Sequence, residues 1–130
     1  NRFIQHYSGL VIKMPLFITF FLLFSLANIA FPLTSSFVGE FLILFGIYSF
    51  SIPITFFASS GMILGGGYSL WLLNRIGFGN LRANLVNAID IDTKEFICLI
   101  FFLFFVFLFG IYPNIFFNIF KEFFSMYLIL

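Results

Sequence analysis

Charge is what this sequence is shortest of. Only 8% of its 130 residues are Asp, Glu, Lys or Arg, against about 25% in soluble domains. With 62% hydrophobic residues, a water-soluble fold would lack the polar side chains to cover its surface, so lipid must be the main solvent. The net charge of +1 excludes a polybasic nucleic-acid surface. A single cysteine, Cys98, excludes an internal disulfide; in its apolar run it reads as a small buried hydrophobe. No Gly-rich phosphate loop, nucleophile elbow or paired-Cys motif occurs, and Asp90, Asp92 and Glu95 have no His or Cys beside them to make a metal site. Catalytic chemistry is therefore not expected in the chain itself. A cleavable signal peptide is not expected either, because residues 1–13 are polar and charged. The first residue is Asn1 rather than Met, and further sequence upstream is expected.

What is there is phenylalanine, 25 of them, which with many Ile and Leu is also what an A/T-rich organellar genome would encode. The apolar runs are too long and too continuous for barrel strands, and a lone open sheet would leave edge groups unpaired in lipid. The runs are helices. Three precede Arg75, at 14–33, 37–52 and 54–74; a polar segment follows at 74–95, then a last uncharged span from Phe96 to Phe120 interrupted at "GIYPN".

Charge fixes how many times the chain crosses. Arg2 and Lys13 precede the first run, and Arg75, Arg82 and Lys94 lie in the polar segment. The positive-inside rule places both segments on one side, so the three runs between them must make two crossings. The pair joined by "FPLTSS" is the one to merge. Pro32 removes an amide and disfavours helix at Phe31, while Thr34, Ser35 and Ser36 can bond freed backbone groups and cap a new helix. The expected fold is therefore all-α and membrane-integral, with three transmembrane helices, the first discontinuous around Pro32. Residues 1–13 form a loop, 14–52 a transmembrane helix broken near 31–36, 53–75 the second, 76–95 a polar loop, 96–120 the third and 121–130 a tail. As one straight helix, residues 14–52 would measure roughly 60 Å, twice the bilayer core, so the halves must tilt, overlap or project.

Glu40 is the one charged side chain between Lys13 and Arg75. A carboxylate at such depth is costly and marks a functional site by default. It falls about one turn beyond a helix break, and broken helices in membranes line ion and substrate sites. Glu40 reads as a proton relay, with the opposing reading a carboxylate held permanently in an ion pair. Asn28, Ser25 and Thr19 could hydrate the site, although each alone more simply bonds back to its own helix. His6 is read as an ordinary loop histidine rather than a surface relay. Asp92-x-x-Glu95 has capping-box spacing ahead of the last span. Gly61, Gly65, Gly66 and Gly67 give the preceding helix a smooth face for close packing, and Tyr68, Trp71 and Arg75 suit a membrane interface.

"MPLFITFFLLFSLANIAFPLTSSFVGEFLIL" (Met14 to Leu44), with "GMILGGGYSLWLLNRIGFG" after it, resembles the C-terminal part of subunit 4 of respiratory NADH dehydrogenase, one of the antiporter-like proton-channel chains of complex I. The family's P-x-T-x-x-F-x-GEF pattern is met from Pro32 to Phe41, YSLWL at Tyr68 to Leu72, and GIYP at Gly110 to Pro113. The resemblance covers nearly the whole chain, from about His6 to Pro113. It implies a discontinuous helix 12 followed by helices 13 and 14, a polar loop on the matrix side and Glu40 as the terminal station of the channel. The related subunits 2 and 5 commonly carry lysine where this chain has Glu40. The resemblance further implies a mitochondrial inner-membrane location and no cofactor in this chain, FMN and iron–sulfur clusters being on other subunits. Implied partners are the N-terminal remainder of the same subunit, on a separate chain if the gene is split, neighbouring antiporter-like subunits and lipid, with no nucleic acid. The alternatives are a fragment of a cation/proton antiporter subunit and a structural membrane subunit.

Overall fold

The computed structural model describes residues 4, 7–81, 83–85 and 88–128; Arg2, His6 and Arg82 lie outside them. The order is a short 3-10 turn at Leu10–Ile12, then α1 (Pro15–Asn28), α2 (Ser35–Tyr48), α3 (Ile52–Gly77), a second 3-10 turn at Ala83–Leu85, α4 (Thr93–Ile111) and α5 (Asn114–Leu128). Among the described residues there is no strand. Helices α3 and α4, with 26 and 19 residues, are each long and apolar enough to cross a bilayer. Helices α1 and α2 have 14 residues each and are too short to do so alone.

The interruption between α1 and α2 is built from a helix stop that sequence patterns rarely announce. Ala30 has φ +58°; its amide bonds the Ala27 carbonyl and the next amide, Phe31, bonds the Leu26 carbonyl. That pair of bonds is a Schellman turn with alanine where glycine is usual. The chain thus leaves the helix at Asn28, ahead of the residues that the proline disfavours. Leu33 also sits at positive φ, +83°, and left-handed backbone costs roughly 1–2 kcal/mol for each residue with a Cβ. Surrounding contacts hold both. Thr34 is 2% exposed and its hydroxyl donates to the Phe31 carbonyl at 2.7 Å. Ser36 reaches back nine residues, donating to the Ala27 carbonyl at 2.6 Å. Thr34 stands in the N-cap position of α2 without capping it. Neither hydroxyl caps the new helix: Ser36 serves the carbonyl end of the old one and Thr34 a carbonyl within the link. Ser35 is the first residue of α2.

The Ser36–Ala27 bond also settles the length problem. The first turn of α2 lies level with the last turn of α1, so the halves overlap and the segment is shorter than a single rod would be. From the side, α4 closes the break. A Cβ on Gly110 would collide with the Leu33 carbonyl oxygen and come within 2.6 Å of the Thr34 carbonyl carbon; only a residue without a side chain allows this approach.

At the far end of α1 the loops gather. Its N-cap residue, Met14, has no side-chain acceptor and Pro15 follows it. The missing cap comes from 74 residues along the chain: the Asp90 carboxylate accepts from the Leu16 amide at 3.0 Å and the Phe17 amide at 3.1 Å. Ser8 donates to the Asn80 carbonyl at 2.8 Å. Gly9, at φ +71°, leaves no room for a Cβ against the Gly79 carbonyl. The segment before α1 and the loop after α3 therefore share one end of the bundle, as the charge reading expects. Helix α4 opens with the Asp92–Glu95 capping box. Phe20 of α1 meets Phe96 of α4 edge-to-face at 5.5 Å.

The apolar run expected as one span over 96–120 is two helices. Tyr112 ends α4 and α5 begins after Pro113, whose ring and missing amide break the helical ladder. The Phe109 and Phe116 rings meet across the joint, tilted at 59° with centroids 4.5 Å apart. In α5 the polar residues Asn114, Asn118, Lys121, Glu122 and Ser125 recur at three- and four-residue steps, a single stripe. Cys98 lies on the outward side of α4, not in a core.

A Gly110→Ala change is expected to push α4 off the break and to destabilise the fold by about 1–3 kcal/mol, the usual range for overpacking; thermal unfolding of the detergent-solubilised protein measures it. For Asp90, burial raises the carboxyl pKa, but the amides of Ile91, Leu16 and Phe17 outweigh that and hold it below the ordinary carboxylate range. Its stabilisation is present in full above the ordinary value of 3.8 and is lost as pH falls through the lowered one. Asp90→Ala is therefore expected to speed amide exchange at Leu16 and Phe17 at neutral pH, with little difference from the parent once the carboxylate is protonated in acid.

Candidate functional site

Glu40 is the sixth residue of α2 and stays half-buried. It opens onto a cleft of about 370 Å³ enclosed by the end of α1, the start of α2 and one face of α3. Asn28 comes from α1; Ala58, Gly61, Met62, Gly65 and Tyr68 come from α3. Placed at i, i+3, i+4, i+7 and i+10 along α3, they trace one helical stripe. A water occupies about 30 Å³, so the cleft has room for several. Among the described residues Glu40 has no ion-pair or hydrogen-bond partner.

Helix breakage is what makes this arrangement possible. Because α1 stops at Asn28, the Asn28 side chain stands at a helix end, and the overlap of the halves brings it to the cleft that Glu40 lines. Glycines supply the volume. A Cβ on Gly61 would meet nothing within 4 Å, and one on Gly65 meets only the Tyr68 ring at 3.9 Å. Of the glycines expected to pack closely, Gly66 does so, 3.3 Å from Ile29. Gly61 and Gly67 face open space, since their stripe borders the cleft or the outside rather than another helix of this chain.

Ser25 is on a second cleft, of about 210 Å³, together with Phe21, Phe24, Asn28, Tyr68, Ser69 and Leu72. Its hydroxyl donates to the Leu22 carbonyl at 2.8 Å, and that of Thr19 to the Leu16 carbonyl at 2.7 Å. Both bond back to their own helix, leaving oxygen lone pairs free to accept. Pro32, Thr34, Ser35 and Ser36 form or flank the break rather than the Glu40 cleft wall. Tyr68, read as an interface aromatic, is also a wall of both clefts, a role that sequence alone missed. The signal was there in its spacing from Gly61 and Gly65, seven and three residues away on one face.

Residues 1–65 match the family model described as NADH:quinone oxidoreductase/Mrp antiporter, transmembrane. The chain belongs to that family. It is 48% identical over 119 residues to NADH-ubiquinone oxidoreductase chain 4 of Chondrus crispus, covering 91% of this chain and 24% of the relative. Against the same chain of Marchantia polymorpha it is 45% identical over 117 residues, 89% of this chain and 24% of the relative. With NADH-quinone oxidoreductase subunit M of Rhodobacter capsulatus the identity is 40% over 116 residues, 88% of this chain and 23% of the relative. The chain thus spans about a quarter of the length of the relatives it matches. Family membership makes it a membrane-embedded chain, and the break and Glu40 both lie inside the matched region.

The glycine stripe gives a direct test of the cleft. Gly61→Ala is expected to leave stability unchanged or to raise it by up to about 1 kcal/mol, the helix-propensity gain. Gly66→Ala, pressed on Ile29, is expected to show no such gain. Thermal unfolding of the two solubilised variants compares them.

Proposed function

We propose that this chain serves in the membrane arm of a proton-translocating NADH:quinone oxidoreductase, with Glu40 as a relay carboxylate. The observation that carries the reading is the placement of Glu40. The one charged residue between Lys13 and Arg75 lies on a water-sized cleft, next to Asn28, where a transmembrane segment is broken. A carboxyl group between a low-dielectric wall and water can load and release a proton when its surroundings change. A permanent ion pair would need a cation, and none is among the described residues that line the clefts. The names of the relatives favour the oxidoreductase over an antiporter complex, although the family description covers both.

On this reading α1 and α2 cross the membrane together as one interrupted span, α3 returns and α4 crosses again, giving three crossings that correspond to helices 12, 13 and 14 of the family. The end that holds Lys13, Arg75 and Asp90 faces the matrix of a mitochondrial inner membrane, by the positive-inside rule. The rest of the subunit, neighbouring antiporter-like subunits and lipid cover the open side of the Glu40 cleft. Electron transfer through FMN and iron–sulfur clusters belongs to other subunits. Glu40 stands near the exit of the channel.

Glu40→Gln keeps the size of the side chain and removes its proton exchange. In the assembled complex it is expected to slow the relay step by about 10²-fold or more and so to lower protons translocated per NADH oxidised, while the subunit still assembles. The proton-to-electron ratio in proteoliposomes measures this. An unchanged ratio would remove Glu40 from the path.

A further inference from the structure

Ala27 and Asn28 are neighbours at the end of α1, and Ser36 and Glu40 stand one turn apart on the same face of α2. The Ser36 hydroxyl donates to the Ala27 carbonyl at 2.6 Å. Among the described residues this is the one hydrogen bond between α1 and α2. It ties the residue before Asn28 to the residue one turn ahead of Glu40, and Asn28 and Glu40 line the same cleft. Both ends of the bond lie inside the chain itself, Ala27 buried and Ser36 half-buried, and further protein around them can only deepen that burial.

The Ala27 carbonyl is shared. It also accepts from the amide of Ala30 at 3.2 Å, the left-handed residue that ends α1. The helix stop therefore keeps a bond at this carbonyl without Ser36, and the hydroxyl is surplus to the backbone's own needs. What it adds is a fixed height of α2 against α1. Contact with α3 does not supply that height, because Gly61 and Gly65 leave the wall opposite Glu40 unfilled. A slide of α2 by one residue, about 1.5 Å along its axis, would carry Ser36 out of reach of Ala27, since hydrogen bonds between hydroxyl and carbonyl hold only to about 3 Å.

We propose that Ser36 is a positioning residue for the relay, its bond to Ala27 seating the Glu40 carboxyl across the cleft from the Asn28 amide. This rests on the relay reading of Glu40. Ser36 carries no proton in transit. It acts through Glu40, by setting how often the carboxyl stands at the height where Asn28 lines the cleft with it. One hydrogen bond of ordinary net strength shifts such a balance by about 2- to 10-fold.

The test uses the assembled complex in proteoliposomes and reads protons translocated per NADH oxidised. The variants are Ser36→Ala, Ser36→Thr, Ser36→Val, Glu40→Gln and the double variant Ser36→Ala/Glu40→Gln. Ser36→Ala leaves Ala27 its bond from Ala30, so assembly is expected to persist. The relay step is expected to slow by about 2- to 10-fold, lowering the ratio less than Glu40→Gln does. Ser36→Thr keeps the donor and is expected to recover the ratio, whereas Ser36→Val, of the same shape without the hydroxyl, is not. In the Glu40→Gln background Ser36→Ala is expected to add nothing, because both changes act on one group. If Glu40→Gln lowers the ratio and Ser36→Ala does not, this inference falls alone and the relay stands. A further fall in the double variant, or equal ratios in Ser36→Thr and Ser36→Val, shows a general packing role and also overturns it. The same holds if neither Ser36→Ala nor Ser36→Val assembles. An unchanged ratio in Glu40→Gln removes the relay reading and takes this one with it.

Discussion

In hydrocarbon there is no water to accept a stray backbone hydrogen bond, and every break in a helix must be satisfied by protein. The link between α1 and α2 meets that demand with local turns and distant groups together. Ala30 and Phe31 return their amides to Ala27 and Leu26, Thr34 and Ser36 add hydroxyl donors to the Phe31 and Ala27 carbonyls, and Gly110 of α4 lies against the Leu33–Thr34 backbone. Two residues at positive φ are tolerated there because several contacts fix them at once. Take away that support and Asn28 no longer stands at a helix end beside the Glu40 cleft.

Glycine has two opposite uses in the same bundle. At position 110 its missing side chain lets helix and break touch. At 61 and 65 it leaves a volume unfilled, and that volume is what separates Glu40 from the apolar interior around it. A cleft that sets Asn28, Glu40 and Tyr68 beside Ile29, Ala58 and Met62 has both the room and the polar partners that a water needs. The packing that surrounds the break is tight; the packing that surrounds the carboxylate is loose. These are complementary, because only a rigid break can keep a cleft of this size in a fixed place.

Much of this was legible in the residues. Proline followed by Thr-Ser-Ser gave away the interruption, since each acts through local backbone chemistry. Glu40 stood out by charge alone, and the Asp92–Glu95 spacing named the start of α4. Charge placement put the two loop segments at one end. What escaped notice depended on distance or on unadvertised geometry. Ala30 ends α1 in a conformation that alanine seldom takes, so no glycine flagged it. Asp90 caps a helix 74 residues earlier, a relation without local pattern. The split at Pro113 was visible as a disturbance, but the absence of charge on either side as far as Phe120 masked two helices as one. Tyr68 satisfied an interfacial reading by residue type, and only the fold revealed which side of α3 it shares with Gly61 and Gly65.

The dependence of α1 on later residues also bears on how the chain is made. Its cap arrives with Asp90 and the closure of the break with Gly110, some 76 residues after Thr34. At synthesis rates of about 5–20 residues per second, the first half of the fold waits roughly 4–15 s for them. During that interval the broken segment carries its left-handed residues without the glycine that presses them into place. Whatever occupies the insertion machinery at that moment, a translocon wall or a neighbouring helix, holds a half-finished turn, and the cleft beside Glu40 takes its final shape only after Gly110 has been made.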